Sequence, residues 1–218
     1  MLSRLEQRLS SAGLMVRGCA PLSSAGKTGG GPSARTAVLI GHVGSSIWPH
    51  FSQWLAAQDP VPADPLDCWS KGIIGAAAVE FGGRAVFPSD RPYLPFQQWA
   101  KQAEGLKPSP LGLLIHPDFG LWHAYRGAIL FDDVTFCQHV EKSSHPCDDC
   151  VEKPCLSACP VDAFSKAGYD VKSCRDHLKT TEGQVCMKGG CKARLACPVG
   201  RDYRYLPEQM RFHMAAFA

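Results

Sequence analysis

The chain has little that would hold a polyanion or enter a membrane. Its 23 Lys and Arg stand against 20 Asp and Glu, a net charge of +3. No lysine- or arginine-rich block occurs, so neither nucleic acid nor an anionic membrane is an expected partner. No apolar run approaches the roughly 20 residues a spanning helix needs. The first residues lack the uninterrupted apolar core of a secretory signal, because Arg4, Glu6, Arg8 and Arg17 break it. Gly26-Lys27-Thr28 is not a phosphate loop: a Walker loop needs glycine five positions before Gly26, where Pro21 stands. A flexible glycine loop is the expectation there. Neither His42 nor His50 forms a metal-ligand spacing with another histidine. The Asp132-Asp133 and Asp148-Asp149 pairs read as solvated loop charges rather than catalytic dyads; Asp148 and Asp149 could also tune a nearby redox centre or the docking of its donor.

What the chain does have is cysteine: 11 in 218 residues, eight of them between Cys147 and Cys197. The first group reads Cys147-Asp-Asp-Cys150-Val-Glu-Lys-Pro-Cys155-Leu-Ser-Ala-Cys159-Pro160. The second is looser, Cys174, Cys186, Cys191 and Cys197-Pro198. The first is close to the C-x2-C-x2-C-x3-C-P run of bacterial ferredoxins, two residues longer before its third cysteine. Soft thiolates suit iron, and short spacings let one loop wrap three corners of a cluster while a distant cysteine closes it. In two-cluster ferredoxins the cysteine before proline serves the other cluster. By that rule Cys147, Cys150, Cys155 and Cys197 form one 4Fe-4S set, and Cys159, Cys174, Cys186 and Cys191 the other.

Two other readings of the same cysteines exist. Two four-cysteine zinc sites would use the same thiolates, but zinc ribbons usually show separated C-x2-C pairs and the second group contains none. A disulfide framework suits an oxidising compartment, whereas a reduced cytoplasm is the natural home of such thiolates. Cys19, Cys68 and Cys137 lie outside the pattern and read as structural thiols.

With 45% hydrophobic and 20% charged residues, the length allows one ordinary core plus a small module whose metal replaces the core it lacks. The expected domains are 1–135, an α/β domain, 136–203, the cysteine module, and 204–218, a helical tail. Apolar periodicity predicts helices over 2–13, 47–57, 64–81 and 95–104. Thr36–Val43 reads as a buried strand, residues 84–87 as a short one, and 111–116 and 121–131 as two strands joined by a hairpin-like turn at Pro117-Asp-Phe-Gly120.

Gly112-Leu-Leu-Ile-His116-Pro117-Asp-Phe119-Gly120-Leu-Trp122-His-Ala-Tyr-Arg126-Gly127 resembles the I-H-P-x-F-G-x-W-x-x-x-R-G stretch of the cobalamin-processing CblC family. The unit Thr36–Trp54 and the Asp64-Pro-Leu-Asp67 helix start also look like that family's, so the resemblance spans about 100 residues of the N-terminal domain. The plan as a whole is similar to epoxyqueuosine reductase and the reductive dehalogenases, in which a corrinoid domain precedes a two-cluster ferredoxin module. Cys174-Arg-Asp-His-Leu178 looks like the extra cysteine segment of epoxyqueuosine reductase. These resemblances imply an α+β fold: a nitroreductase/flavin-reductase-like α/β domain followed by a small bacterial-ferredoxin-like domain with two 4Fe-4S clusters.

Three residues of the resembling stretch are candidates for a bound cofactor. His116, ahead of a proline turn, could hydrogen-bond a corrin amide, or be a satisfied structural histidine. Arg126, in an apolar strand, needs a partner, either an acid such as Asp118 or a ligand oxygen. Trp122 could stack on a macrocycle but equally suits a core, as does Tyr125. The function these readings imply is an oxidoreductase in which two clusters relay electrons from a donor protein to a cobalamin, reducing cobalt with removal of its upper ligand. The alternatives are a ferredoxin-type carrier with no small-molecule substrate, or a flavin-linked reductase.

Overall fold

A computed structural model of the chain describes residues 1–22, 34–132, 144–165 and 167–218. In chain order the elements are α1 (Leu2–Ser10), β1 (Met15–Pro21), β2 (Thr36–Val43), α2 (Trp48–Ala56), α3 (Pro65–Glu80), β3 (Arg84–Val86), α4 (Phe96–Glu104), β4 (Lys107–Pro108), β5 (Leu114–Ile115) and β6 (His123–Phe131). They continue with α5 (Pro154–Ser157), β7 (Phe164–Ser165), β8 (Gly168–Tyr169), α6 (Val171–Leu178), α7 (Gln184–Gly189), α8 (Lys192–Ala196), a single 3-10 turn at Arg201–Tyr203, and α9 (Pro207–Phe217). No helix among the described residues is long and apolar enough to cross a membrane. The glycine loop expected at 23–31, and with it Asp133 and Cys137, lies outside the described residues.

The chain divides into two units. One comprises Met1–His42, Ser46–Gly105 and Ala124–Lys142; the other comprises Val43–Ser45, Leu106–His123 and Ser143–Ala218. The segment Leu106–His123, expected to belong to the N-terminal domain, therefore groups with the cysteine module, as does the tail helix α9.

The first unit is built on a four-stranded sheet in the order β1-β2-β6-β3. All eight residues of β2 are buried, which is why its sequence reads as a continuous apolar run. Each fully buried aliphatic side chain there contributes roughly 1.5–3 kcal/mol. Leu5 and Leu9 of α1, Ile74 and Ala77 of α3 and Ala100 of α4 are all fully buried, at the helical spacing that predicted them. Strand β1 was not anticipated. It is an edge strand, antiparallel to β2, ending at Pro21, and Arg17 is an extra residue between the pairs Val16↔Ile40 and Gly18↔Leu39. Such a bulge breaks the alternation that marks a strand in sequence.

The second unit has two two-stranded sheets, β4-β5 and β7-β8, with α5 against α8 and α7 against α9. Its inner cluster of Leu111, Ile115, Leu121, Cys155, Ala193 and Cys197 includes two thiols among six residues, with Cys147, Cys159 and Cys191 packed against it. The expected hairpin over 111–131 is not formed. β5 pairs with β4, while β6 joins the large sheet between β2 and β3. Only His116 and Gly120 bridge across the turn. Gly120 takes φ +58°, and a Cβ there would stand 2.1 Å from the carbonyl oxygen of Val199. Gly200 is the reciprocal case, with φ +69° and a Cβ that would lie 2.3 Å from the backbone of Phe119. Two backbones meet here without side chains, and that contact draws the turn onto the segment after Cys197.

Candidate metal centres and candidate ligand residues

By the charges that act on them, Cys147 and Cys155 are neighbours of Cys150 and Cys197, and Cys186 and Cys191 are neighbours of Cys159 and Cys174. Cys147, Cys150, Cys155 and Cys197 open onto one hollow, whose other walls include Ile115, Leu121, Lys153 and Val199. Burial pushes the Cys147 thiol up to about 11, helped by the charges that Cys197, Cys155 and Cys150 would carry and opposed by Lys153. Burial, then Cys197 and Cys150, also raise Cys155. Cys186 and Cys191 are likewise raised, first by burial and then by Cys159 and Cys174.

Backbone amides face the sulfurs of both sets. In the first set these are the amides of Cys155 and Leu156 at Cys155, and that of Val199 at Cys197. In the second they are those of Ala193 and Arg194 at Cys191, and of Lys192 at Cys186. The Ala163 N–H lies 3.4 Å from the Cys159 sulfur. Amides gathered around a sulfur favour its anionic form, as in backbone nests that bind anions. Arg201 and Arg204 act in the same direction on Cys197, and Lys192 on Cys186. Among the described residues no three His, Cys, Asp or Glu side chains converge as a site for a single ion would require.

Helix α8 is common to both sets, since Cys191 precedes it and Cys197 follows it. The Arg194 guanidinium on this helix donates from Nε to the Leu121 carbonyl at 3.1 Å. It lies over the Trp122 and Tyr205 rings, 4.5 and 4.6 Å from their centroids. Arg194 thus ties the helix bearing both sets to the segment just before β6, a role with no signal in the cysteine spacing.

The three cofactor candidates meet protein rather than open space. His116 Nδ1 accepts the backbone N–H of Asp118 at 3.0 Å and of Phe119 at 3.2 Å, and its ring stacks on Phe119 with centroids 4.1 Å apart. By accepting both N–H groups, Nδ1 organises the Pro117–Gly120 turn. Trp122 is 1% exposed, with Tyr205 edge-on at 5.3 Å. Arg126 donates from Nε to Ser70 Oγ at 3.1 Å and from Nη2 to Asp67. Its acid is therefore Asp67 of α3, not Asp118, and the pair ties β6 to α3. Ser70 in turn donates to the Leu66 carbonyl at 2.7 Å.

A second buried polar group in the first unit escaped the sequence reading. Arg17, turned inward by the β1 bulge, grips Glu104 with Nε–Oε1 2.9 Å and Nη2–Oε2 3.2 Å, and donates from Nη1 to the His42 carbonyl at 3.2 Å. The Tyr125 hydroxyl donates to Glu104. Burial pushes the Glu104 carboxyl above its ordinary value, and Arg17 and Tyr125 pull it back. Tyr125 is thus a network member rather than a stacking surface. His50 is exposed on α2, and Cys68 is an exposed free thiol whose Sγ donates to the Ala63 carbonyl. Cys19 is not a free thiol but is engaged in a disulfide.

No family model matches the chain, and no curated protein does. Among solved structures it is similar to a B12-trafficking protein CblC of C. elegans, described as a human MMACHC homologue, with a TM-score of 0.57 and 15% sequence identity over 98% of this chain and 90% of that one. The likeness shows a shared α+β fold.

Proposed function

We propose that this chain is an iron–sulfur oxidoreductase in which Cys147, Cys150, Cys155 and Cys197 hold one 4Fe-4S cluster and Cys159, Cys174, Cys186 and Cys191 another, relaying single electrons from a donor protein to a corrinoid substrate. The observation that carries this reading is the sorting of eight thiols into two sets of four, with backbone amides directed at sulfurs in each. The likeness to a B12-trafficking protein supports the corrinoid as substrate. The bound clusters would supply one-electron reduction, at potentials spread over roughly a volt by charge and hydrogen bonding. The chain's own part is to hold the thiolates, aim N–H groups at them and keep them half-buried. One electron delivered to cobalt(III) gives cobalt(II), and the upper ligand departs with its bonding pair.

The test uses anaerobic, pre-reduced protein freed of excess reductant and mixed with cob(III)alamin. Conversion to cob(II)alamin at one equivalent per reduced cluster, lost in Cys155→Ala, supports the reading. Clusters that cycle without changing the cobalamin spectrum contradict the corrinoid part. That outcome favours the plain electron carrier, for which the internal hydrogen bonds of His116 and Arg126 already speak. A flavin spectrum in the purified protein would indicate the flavin-linked reductase instead.

A further inference from the structure

Helix α9 carries none of the cysteines, yet it touches what surrounds Cys174, Cys186 and Cys191. It packs against α7, which holds Cys186. Its Met210 lies on Gly190, just before Cys191: a Cβ on Gly190 would stand 2.8 Å from the Met210 sulfur, so the glycine leaves room for that side chain. At the far end of α9, Phe217 meets the residue after Cys174, because Arg175 Nε donates to the Phe217 carbonyl at 2.9 Å and the guanidinium lies 5.1 Å from the ring centroid. The Phe217 ring also lies 6.3 Å from that of Tyr169, inclined at 24°. No residue of α9 reaches the walls of the hollow onto which Cys147, Cys150, Cys155 and Cys197 open.

The seat of this helix has a defect. Gln209, one turn into α9, is 0% exposed. Its Nε2 lies 3.4 Å from His213 Nε2, and its Oε1 is buried with no hydrogen-bond partner among the described residues. A carbonyl that gives up water without gaining a partner makes the closed position costly, and lifting the helix returns it to water. The joint is at Leu206, whose extended backbone precedes Pro207 and whose N–H is tied to Ser45 Oγ at 2.8 Å.

We infer that α9 is a hinged strap: turning about Leu206, it opens while the rest of its unit stays folded and admits small molecules from solvent to Cys174, Cys186 and Cys191, leaving the first set untouched. The inference rests on the two-cluster reading only for the grouping of these thiols. Local opening of this kind belongs to elements whose contacts are few or poorly satisfied. Under that reading the strap sets how fast oxidants and chelators reach the second set.

The test pulse-labels the full-length, anaerobically purified protein with iodoacetamide, reads the modified cysteines by mass spectrometry, and follows hydrogen exchange of α9 in parallel. Gln209→Met keeps the shape of the side chain and removes the unmet carbonyl. It should slow labelling of Cys174, Cys186 and Cys191, and exchange of α9, by about fivefold or more. Phe217→Ala, which releases the far end of the helix, should speed both. Cys147 and Cys150 should label at the wild-type rate in each variant. Equal acceleration of both sets in Phe217→Ala, or unchanged rates at the three thiols in Gln209→Met, would overturn the strap and leave the electron relay standing. The predicted rate changes in a protein that holds zinc in place of iron would do the reverse, since labelling follows the opening whichever metal the thiols hold.

Discussion

Cys155 lies within the single helical turn α5 and Cys159 two residues beyond its end, and their sulfurs have different neighbours. Cys155 faces Cys150 and Cys197, whereas Cys159 acts on Cys186 and Cys191. A cysteine followed by proline leaves the helix at once, because proline cannot continue it and pushes the preceding residue toward extended geometry. The crossing that the proposed two-cluster reading requires would be built into a stretch of five residues.

The first prediction follows from that crossing. Cys159→Ala should remove the signals of one cluster and leave those of the other, and Cys174→Ala should remove the same ones. Cys155→Ala should remove the complementary set. Iron analysis with paramagnetic resonance of the reduced proteins reads this directly. Loss of the same signals in Cys159→Ala and Cys155→Ala would contradict the partition.

Gly120→Ala should empty the first set selectively. The new methyl would stand 2.1 Å from the Val199 carbonyl oxygen, two residues beyond Cys197, and the residue would keep a left-handed φ of +58°. The backbone conformation alone costs about 1–2 kcal/mol for a non-glycine residue, and the steric contact must displace Val199. About half the wild-type iron is expected; full loading with an unchanged melting temperature would show that the two backbones part freely.

Arg126→Ala tests a tie within the first unit. Hydrogen bonds to charged groups contribute roughly 1.5–3 kcal/mol. The Asp67 side chain is 40% exposed, so about 1 kcal/mol is the discounted expectation. That corresponds to a melting temperature lower by about 2–4 °C, with iron content unchanged. If cobalamin binding is lost while stability is not, Arg126 is a ligand residue after all.

Tyr125→Phe should alter the pH dependence of stability. Burial raises the Glu104 carboxyl from 4.5, and the Tyr125 hydroxyl opposes that rise. A carboxyl raised by folding binds its proton more tightly in the native state. Its contribution is therefore fully present below 4.5 and is lost as pH rises through the native value. Removing the hydroxyl carries the native value further up, so the loss in Tyr125→Phe extends to higher pH than in the wild type. Chemical denaturation between about pH 4 and pH 8 measures it, and superimposable profiles would contradict the assignment.

Much of this was legible in the sequence. The buried run of β2 and the apolar periodicity of α2, α3 and α4 follow from local pattern, because spacing and period are local properties. The rest depended on contacts distant in the chain. Gly120 meets Val199, so Leu106–His123 joins the cysteine-rich unit and a hairpin that looked reasonable locally is not made. Arg126 finds Asp67 rather than Asp118, and His116 spends its Nδ1 on its own turn. β1 was hidden by its bulge, and that same bulge turns Arg17 toward Glu104. The stretch whose wording resembled a corrinoid family proves to lend Ile115 and Leu121 to the wall of the first thiol hollow.

The most direct test of the central claim is the iron, acid-labile sulfide and zinc content of protein purified without oxygen. Two clusters predict about eight irons and eight sulfides per chain, with negligible zinc. About two zinc ions and no sulfide would mean that the same eight thiolates serve closed structural sites, and the electron relay would fall with that result.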